Sequence, residues 1–166
     1  MKAIDCFVGE GLKPKAISLG FADARTPQTI QLKSQGDVNR AREHVSSSDP
    51  RLLEAALKKK HFLFVNVFPC REFHKNDAFV ALAVERGHVF EIPFSYFLRR
   101  DGYRRSVLMH RGRAFLKKLV KRRAQYRITS HARGESELRS PRDLVALGVC
   151  LGLTEEQAFH ALRGVD

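Results

Sequence analysis

The sequence predicts an α/β protein built on a parallel sheet or barrel, and three observations predict it. Strand-like apolar runs alternate with amphipathic helical segments along the chain. The run over residues 61–68 is almost continuously apolar, as a strand covered on both faces must be. Helical patterns also pass directly into strands, at Gly87 and again after Arg123, which is the connectivity of repeated strand–helix units.

In chain order, residues 3–8 read as a first strand, 16–21 as a second and 29–33 as a weaker third. Residues 37–45 read as a short helix. Residues 46–50 make a loop in which Asp49 caps the next helix and Pro50 takes its first position, where a missing N–H costs nothing. Leu52, Leu53, Ala56 and Leu57 give that helix its apolar side. Lys58, Lys59 and Lys60 end it, where cations complement the C-terminal dipole. Pro69 closes the strand over 61–68. The helix over 77–86 stops at Gly87, a C-cap signal, and the strand over 88–94 follows. Next come a basic helix over 104–123, a strand over 126–129 and a polar loop to Arg139. Two helices finish the chain, each opened by a capping box, Ser140 with Asp143 and Thr154 with Gln157. The connections over residues 8–16 and 21–29 are too short for crossover helices, and no strand stands out between Val45 and Asp49. Without repeats or low-complexity tracts, residues 1–166 read as one domain with an abbreviated N-terminal half.

The charge is segregated. Residues 95–133 hold thirteen Lys and Arg against one acid, Asp101, and so carry the whole formal net charge of +12. The remaining 127 residues balance 17 bases with 17 acids. A neutral body with one cationic surface suits a polyanion. On a helical projection Leu108, Gly112, Phe115, Leu116 and Leu119 share one side, with Met109 and Val120 at its margin. Arg113, Lys117 and Lys121 form a row opposite, flanked by Arg111, Lys118 and Arg122, and Arg104 and Arg105 open the helix. Like charges four residues apart repel, so the row costs stability unless an anion relieves it. A solvated helix face usually interleaves Glu, and this one has none. Arg exceeds Lys, which suits bidentate phosphate recognition. A membrane-surface role fits poorly, because the helix lacks Trp and leads at once into a strand.

No apolar run reaches the length of a membrane span and no signal-peptide pattern opens the chain, so a cytoplasmic location is expected. Cys6, Cys70 and Cys150 lie far apart without a C-x-x-C pair and read as reduced, buried residues. No cofactor is expected: the glycines form no phosphate-cradling loop, and neither Ser140 nor a cysteine has a nearby base. Tyr96, Tyr103 and Tyr126 lie near the basic segment. They offer platforms for unstacked bases, or the commoner role of half-buried packing.

Four segments carry a family resemblance. They are A-V-E-R-G-H-V-F-E-I over 83–92, the basic helix, I-T-S-H-A over 128–132, and S-P-R-D-L-V-A-L-G-V-C-L-G-L over 140–153. Together they resemble ribonuclease P protein component 3, the 30-kilodalton-class subunit of archaeal and eukaryotic ribonuclease P. The resemblance is continuous from about Asp77 onward, and R-D-L-x-x-L-G is its most specific part.

This resemblance implies a TIM-like (β/α) barrel. Eight strand–helix units of about 25 to 30 residues cannot fit in 166, so a reduced or incomplete barrel of about six parallel strands with helices outside is expected. An open N-terminal edge needs a cover, from a second copy or from component 2. The resemblance also implies a protein subunit that stabilises the catalytic RNA for removal of the 5′ leader from precursor tRNA, with no catalytic residue of its own. Its implied partners are ribonuclease P RNA, precursor tRNA and component 2, in a heterodimer or heterotetramer, with components 1 and 4 as further candidates. To the basic helix it adds Arg127 on a strand, Arg133 in the loop beyond it, and Arg142 one residue inside a helix N-terminus that favours phosphate. The alternative is a free-standing metal-dependent phosphoesterase of the same barrel class. Such enzymes gather His and Asp at strand ends. Here Asp5 and His131 are two such groups without an H-x-H pair, His61 lies at a strand start, and His88 and Glu91 point to opposite faces of one strand.

Overall fold

The computed structural model describes residues 2–60 and 63–163. Seven short strands alternate with helices among those residues. The first three strands are β1 (Ile4–Asp5), β2 (Asp23–Ala24) and β3 (Thr29–Gln31), with α1 (Lys13–Ser18) between the first two. Then follow α2 (Gln35–Arg40), β4 (His44–Ser46), α3 (Pro50–Lys59), β5 (Phe64–Asn66), α4 (Asp77–Arg86) and β6 (Val89–Pro93). The remainder is α5 (Phe94–Leu98), α6 (Gly102–Arg122), β7 (Gln125–Thr129), α7 (Pro141–Cys150) and α8 (Glu155–His160). Strands β3 to β7 form one parallel sheet in sequence order, and β1 pairs in parallel with β2. The α/β class and the parallel sheet are those the alternation predicts, and they are consistent with the reduced barrel that the resemblance implies.

The chain divides into two compact units. One comprises Met1–Pro27, Ile92–Arg113 and Arg127–Asp166, the other Gln28–Glu91 and Ala114–Tyr126. In the first, Val8 bridges Ala132 in parallel, and Ile4 and Ile128 donate their N–H groups to Leu162 and Ala161 beyond α8. Helix α7 begins with the expected capping box between Ser140 and Asp143, and α8 with that between Thr154 and Gln157. The two helices meet at Gly148, where an added Cβ would lie 2.7 Å from the Ala158 Cβ and 2.8 Å from the Ile128 Cδ1. Only a residue without a side chain allows that approach.

In the second unit the register pairs Thr29 with His44, His44 with Phe64, and Phe64 with Val89. Asp49 caps α3 as expected, and Leu53, Ala56 and Leu57 are fully buried on its inner side. Helix α4 starts on the Asn76 side chain and ends at Gly87, whose φ of 72° is the left-handed cap that glycine favours. The Phe115 ring meets Phe73 and Phe90 edge-on, at 5.3 and 5.1 Å between centroids, so one α6 residue anchors the helix to this core.

Several expectations are corrected. Residues 16–21 are not a strand: Lys13–Ser18 is helix α1, with Pro14 in its first turn, Ala16 buried and Ile17 45% exposed. The connection over 8–16 therefore does hold a short helix, and the second strand is Asp23–Ala24. The helix expected over 37–45 ends at Arg40, and His44–Ser46 forms a strand where none was expected. Of the strand expected over 61–68, His61 and Phe62 lie outside the described residues and Phe64–Asn66 is ladder. Cys6 and Cys70 are buried, but Cys150 is exposed at the end of α7. No described helix is long and apolar enough to cross a membrane.

Candidate nucleic-acid interface

Helix α6 carries most of the segregated charge. Gly112, Phe115, Leu116 and Leu119 are buried as the projection requires, while Leu108 and Met109 remain half-buried. Arg104, Arg105, Arg113, Lys117, Lys121 and Arg122 are exposed, and Arg111 and Lys118 are half-buried. The exposed face of this one helix thus carries cations along its whole length, with no acidic residue among them.

Within the first unit these cations differ in how firmly they are held. The Arg105 Nε donates to the Arg100 carbonyl at 2.7 Å, and the Arg113 Nη2 to the Cys150 carbonyl at 2.8 Å, which completes a free C-terminal carbonyl of α7. Arg127 is half-buried on β7. Arg133 is exposed beyond that strand, and its backbone N–H donates to Glu137. Arg142 is exposed at the second position of α7, although the Asp143 carboxylate already caps that terminus by accepting from the Ser140 N–H and hydroxyl. Arg99 belongs to the same basic stretch but is bound by Glu137. Arg139 donates to the Ser136 and Leu138 carbonyls, and its guanidinium lies 5.5 Å from the centre of the Phe94 ring. Nothing local in the sequence signals the Arg99–Glu137 or Arg139–Phe94 contacts, since the partners stand far apart along the chain.

Within the second unit Lys118 is committed. Its Nζ lies 2.5 Å from the Asp77 carboxylate and donates to the His74 carbonyl at 3.0 Å. The Lys118 hydrogen bond to Asp77 is the main reason the Asp77 carboxyl is held below its ordinary range, and Arg122 adds a weaker Coulombic pull. Lys117 and Lys121, about one turn apart on the outer face, have no hydrogen bond or ion pair with a described residue. They are two cations of this unit whose charge no described residue compensates.

The tyrosines divide. Tyr96 and Tyr126 are half-buried, and Tyr96 packs edge-on against His131 at 5.5 Å. Tyr103 is 83% exposed at the start of α6. The groups considered for metal chemistry serve structure. Asp5 is fully buried and accepts N–H groups from Phe7 and Ser130. His131 stacks on Phe7 at 4.2 Å. His88 is buried between the Leu57 carbonyl and the Leu63 N–H. Glu91 is bound to His44. Among the described residues no group of three His, Cys, Asp or Glu side chains is placed to hold a metal ion.

A family model described as RNase P subunit p30 matches residues 45–165. The chain belongs to the RNase P subunit p30 family. The match reaches further toward the N-terminus than the segments that carry the resemblance, and it includes the last two residues of β4 and all of α3 and β5. Membership in the p30 family makes the chain a subunit of the ribonuclease P ribonucleoprotein and ties it to tRNA 5′ processing; the phosphoesterase alternative is not favoured. No curated protein sequence matches it. Among solved structures it is similar to a chain in the cryo-EM structure of archaeal ribonuclease P with mature tRNA. The TM-score is 0.68 at 17% identity, over 95% of this chain and 75% of that one, so the likeness is one of fold.

Proposed function

We propose that this p30-family chain binds and stabilises the catalytic RNA of ribonuclease P for removal of the 5′ leader from precursor tRNA, contributing no catalytic residue itself. The observation that carries this reading is the cationic face of α6, where Lys117 and Lys121 stand exposed without an acid. Arg104, Arg105, Arg111, Arg113, Lys118, Arg122, Arg127, Arg133 and Arg142 complete the proposed RNA-binding set. Arg113 and Lys118 act from fixed positions, because the Cys150 and His74 carbonyls hold them. Ribonuclease P RNA and precursor tRNA are the nucleic-acid partners. Component 2 is the proposed protein partner, in a heterodimer or heterotetramer, with components 1 and 4 beside it in the cytoplasm of an archaeal cell.

The test is to purify the protein from its own cells at gentle salt, sequence the accompanying RNA and assay precursor-tRNA cleavage. One abundant structured RNA, with cleavage abolished by nuclease digestion, is the expected result. Cleavage that survives nuclease but not a chelator would overturn the reading in favour of a metal-dependent protein enzyme.

A further inference from the structure

The first unit contains a groove of about 350 Å³ between α5, the N-terminal half of α6, and α7. Its walls include Phe94, Phe97, Leu98, Met109 and Leu147, and Ala146 and Cys150 stand exposed on its α7 side. This is the stretch of α6 whose apolar side stays incompletely covered: Met109 is half-buried, whereas Phe115, Leu116 and Leu119 further along are fully buried. Two cations, Arg105 and Arg139, also line the groove. Backbone carbonyls hold both, through the Nε of Arg105 and one terminal nitrogen of Arg139, so each guanidinium keeps further donors for a ligand. The acid in the lining, Asp143, is consumed by the Ser140 capping box.

We propose that this groove docks an acidic amphipathic segment of a protein subunit of the same ribonucleoprotein, apolar side chains entering between α6 and α7 and carboxylates meeting Arg139 and Arg105, which the docked segment takes from the RNA-binding set. The proposal rests on the reading of the chain as a ribonuclease P subunit. Charge complementarity selects an acidic occupant, and the aliphatic wall of Leu98, Met109 and Leu147 selects protein over RNA, which has no aliphatic side chains to bury there. Laying one face of a helix into such a groove is a common mode of peptide recognition.

Cys150 makes the test direct, because it is the exposed thiol while Cys6 and Cys70 are buried. The ribonucleoprotein purified from its own cells and the free chain are each labelled with a thiol reagent, and the rate at Cys150 is read by peptide mass spectrometry. At least a tenfold slower labelling in the complex is expected, and it must persist after the RNA is digested. Ala146→Arg fills the groove from an exposed helical position and so leaves folding intact. It should restore fast labelling and weaken retention of one protein subunit at least tenfold, while RNA binding by the free chain is unchanged. Protection lost on RNA digestion overturns the proposal in favour of an RNA strand, and equal labelling of complex and free chain overturns docking altogether. Recovery of no RNA and no precursor-tRNA cleavage would be a failure of the functional reading itself, recorded before any labelling is done.

Discussion

Arg99 holds Glu137 through two parallel hydrogen bonds, Nε to Oε1 and Nη2 to Oε2, both 2.6 Å long. This fork-on-carboxylate geometry is the strong form of an ion pair, and it neutralises one cation of the basic stretch. The Arg99 contact is the main cause that pulls the Glu137 carboxyl from its ordinary 4.5 down to about 2, and the Arg133 N–H assists. Because the folded value is depressed, the unfolded chain takes up the proton first as pH falls. The stabilisation is complete above 4.5 and is lost on descending through about 2. Urea midpoints measured across that window should fall for the wild type and change less for Glu137→Gln. Parallel curves would mean that the pair contributes nothing to stability.

His44 and Glu91 present the opposite case, a hydrogen-bonded pair sealed inside the second unit. The His44 Nε2 lies 2.9 Å from Glu91 with both side chains 1% exposed, and the Thr29 hydroxyl stands 3.1 Å from the other ring nitrogen. Removing one member of such a pair is costly because the remaining polar group stays buried without that partner, whereas replacing both with apolar groups can be nearly neutral. His44→Leu should therefore destabilise by about 1–3 kcal/mol, and adding Glu91→Leu should recover most of that loss. Equilibrium urea unfolding of the two variants measures both; additive losses would mean that the two side chains act independently.

These two pairs show where the sequence was legible and where it was not. Helix starts and stops were readable because their signals are local: Asp49 with Pro50, Ser140 with Asp143 and Thr154 with Gln157 each satisfy free N–H groups within three residues, and Gly87 supplies the left-handed stop. Strand β4 was not readable, because its first inward residue is the polar His44, made acceptable by Glu91 47 residues away. Helix α1 was missed for a different reason: six residues are too few to show a period, and its apolar residues read equally as a strand. For the interface, the net charge of residues 95–133 was visible, but not which cations the protein uses itself. Arg99, Lys118 and Arg139 are held by Glu137, by Asp77 and His74, and by the Ser136 and Leu138 carbonyls, and all of these partners but the two carbonyls lie far along the chain.

Gly148, the last residue of the R-D-L-x-x-L-G segment, marks the closest approach of α7 and α8. A methyl group there would lie inside contact distance of both Ala158 and Ile128, and neither is the far end of a flexible chain on a surface: both are buried. Overpacking of this kind typically costs about 1–3 kcal/mol, more than the helix propensity gained by replacing glycine. Gly148→Ala should lower the thermal midpoint, and Gly148→Ala with Ile128→Val should restore part of it. A midpoint that rises in the single variant would show that α8 shifts freely.

The uncompensated cations of α6 give the most direct reading of the interface. Each phosphate neutralised by a cation releases condensed counterions, so the affinity for RNA falls with salt at a slope that counts the contacts. Lys117→Ala with Lys121→Ala removes two exposed charges that hold no described partner, and should flatten the slope by about two ion equivalents without loss of stability. Adding Arg113→Ala should bring the change to about three, but it also removes the hydrogen bond to the Cys150 carbonyl and so lowers the thermal midpoint. Lys118→Ala separates the two effects from the other side: it frees Asp77 from its main partner, raises that carboxyl toward its ordinary range, and exposes a new negative charge beside the row. Its loss of RNA affinity should therefore exceed that of Lys117→Ala, and Lys118→Ala with Asp77→Asn should return it to the level of a single lost cation. Filter binding to the purified ribonuclease P RNA across a salt series measures all five variants, and slopes that match the wild type would mean that the row on α6 is only a solvated face.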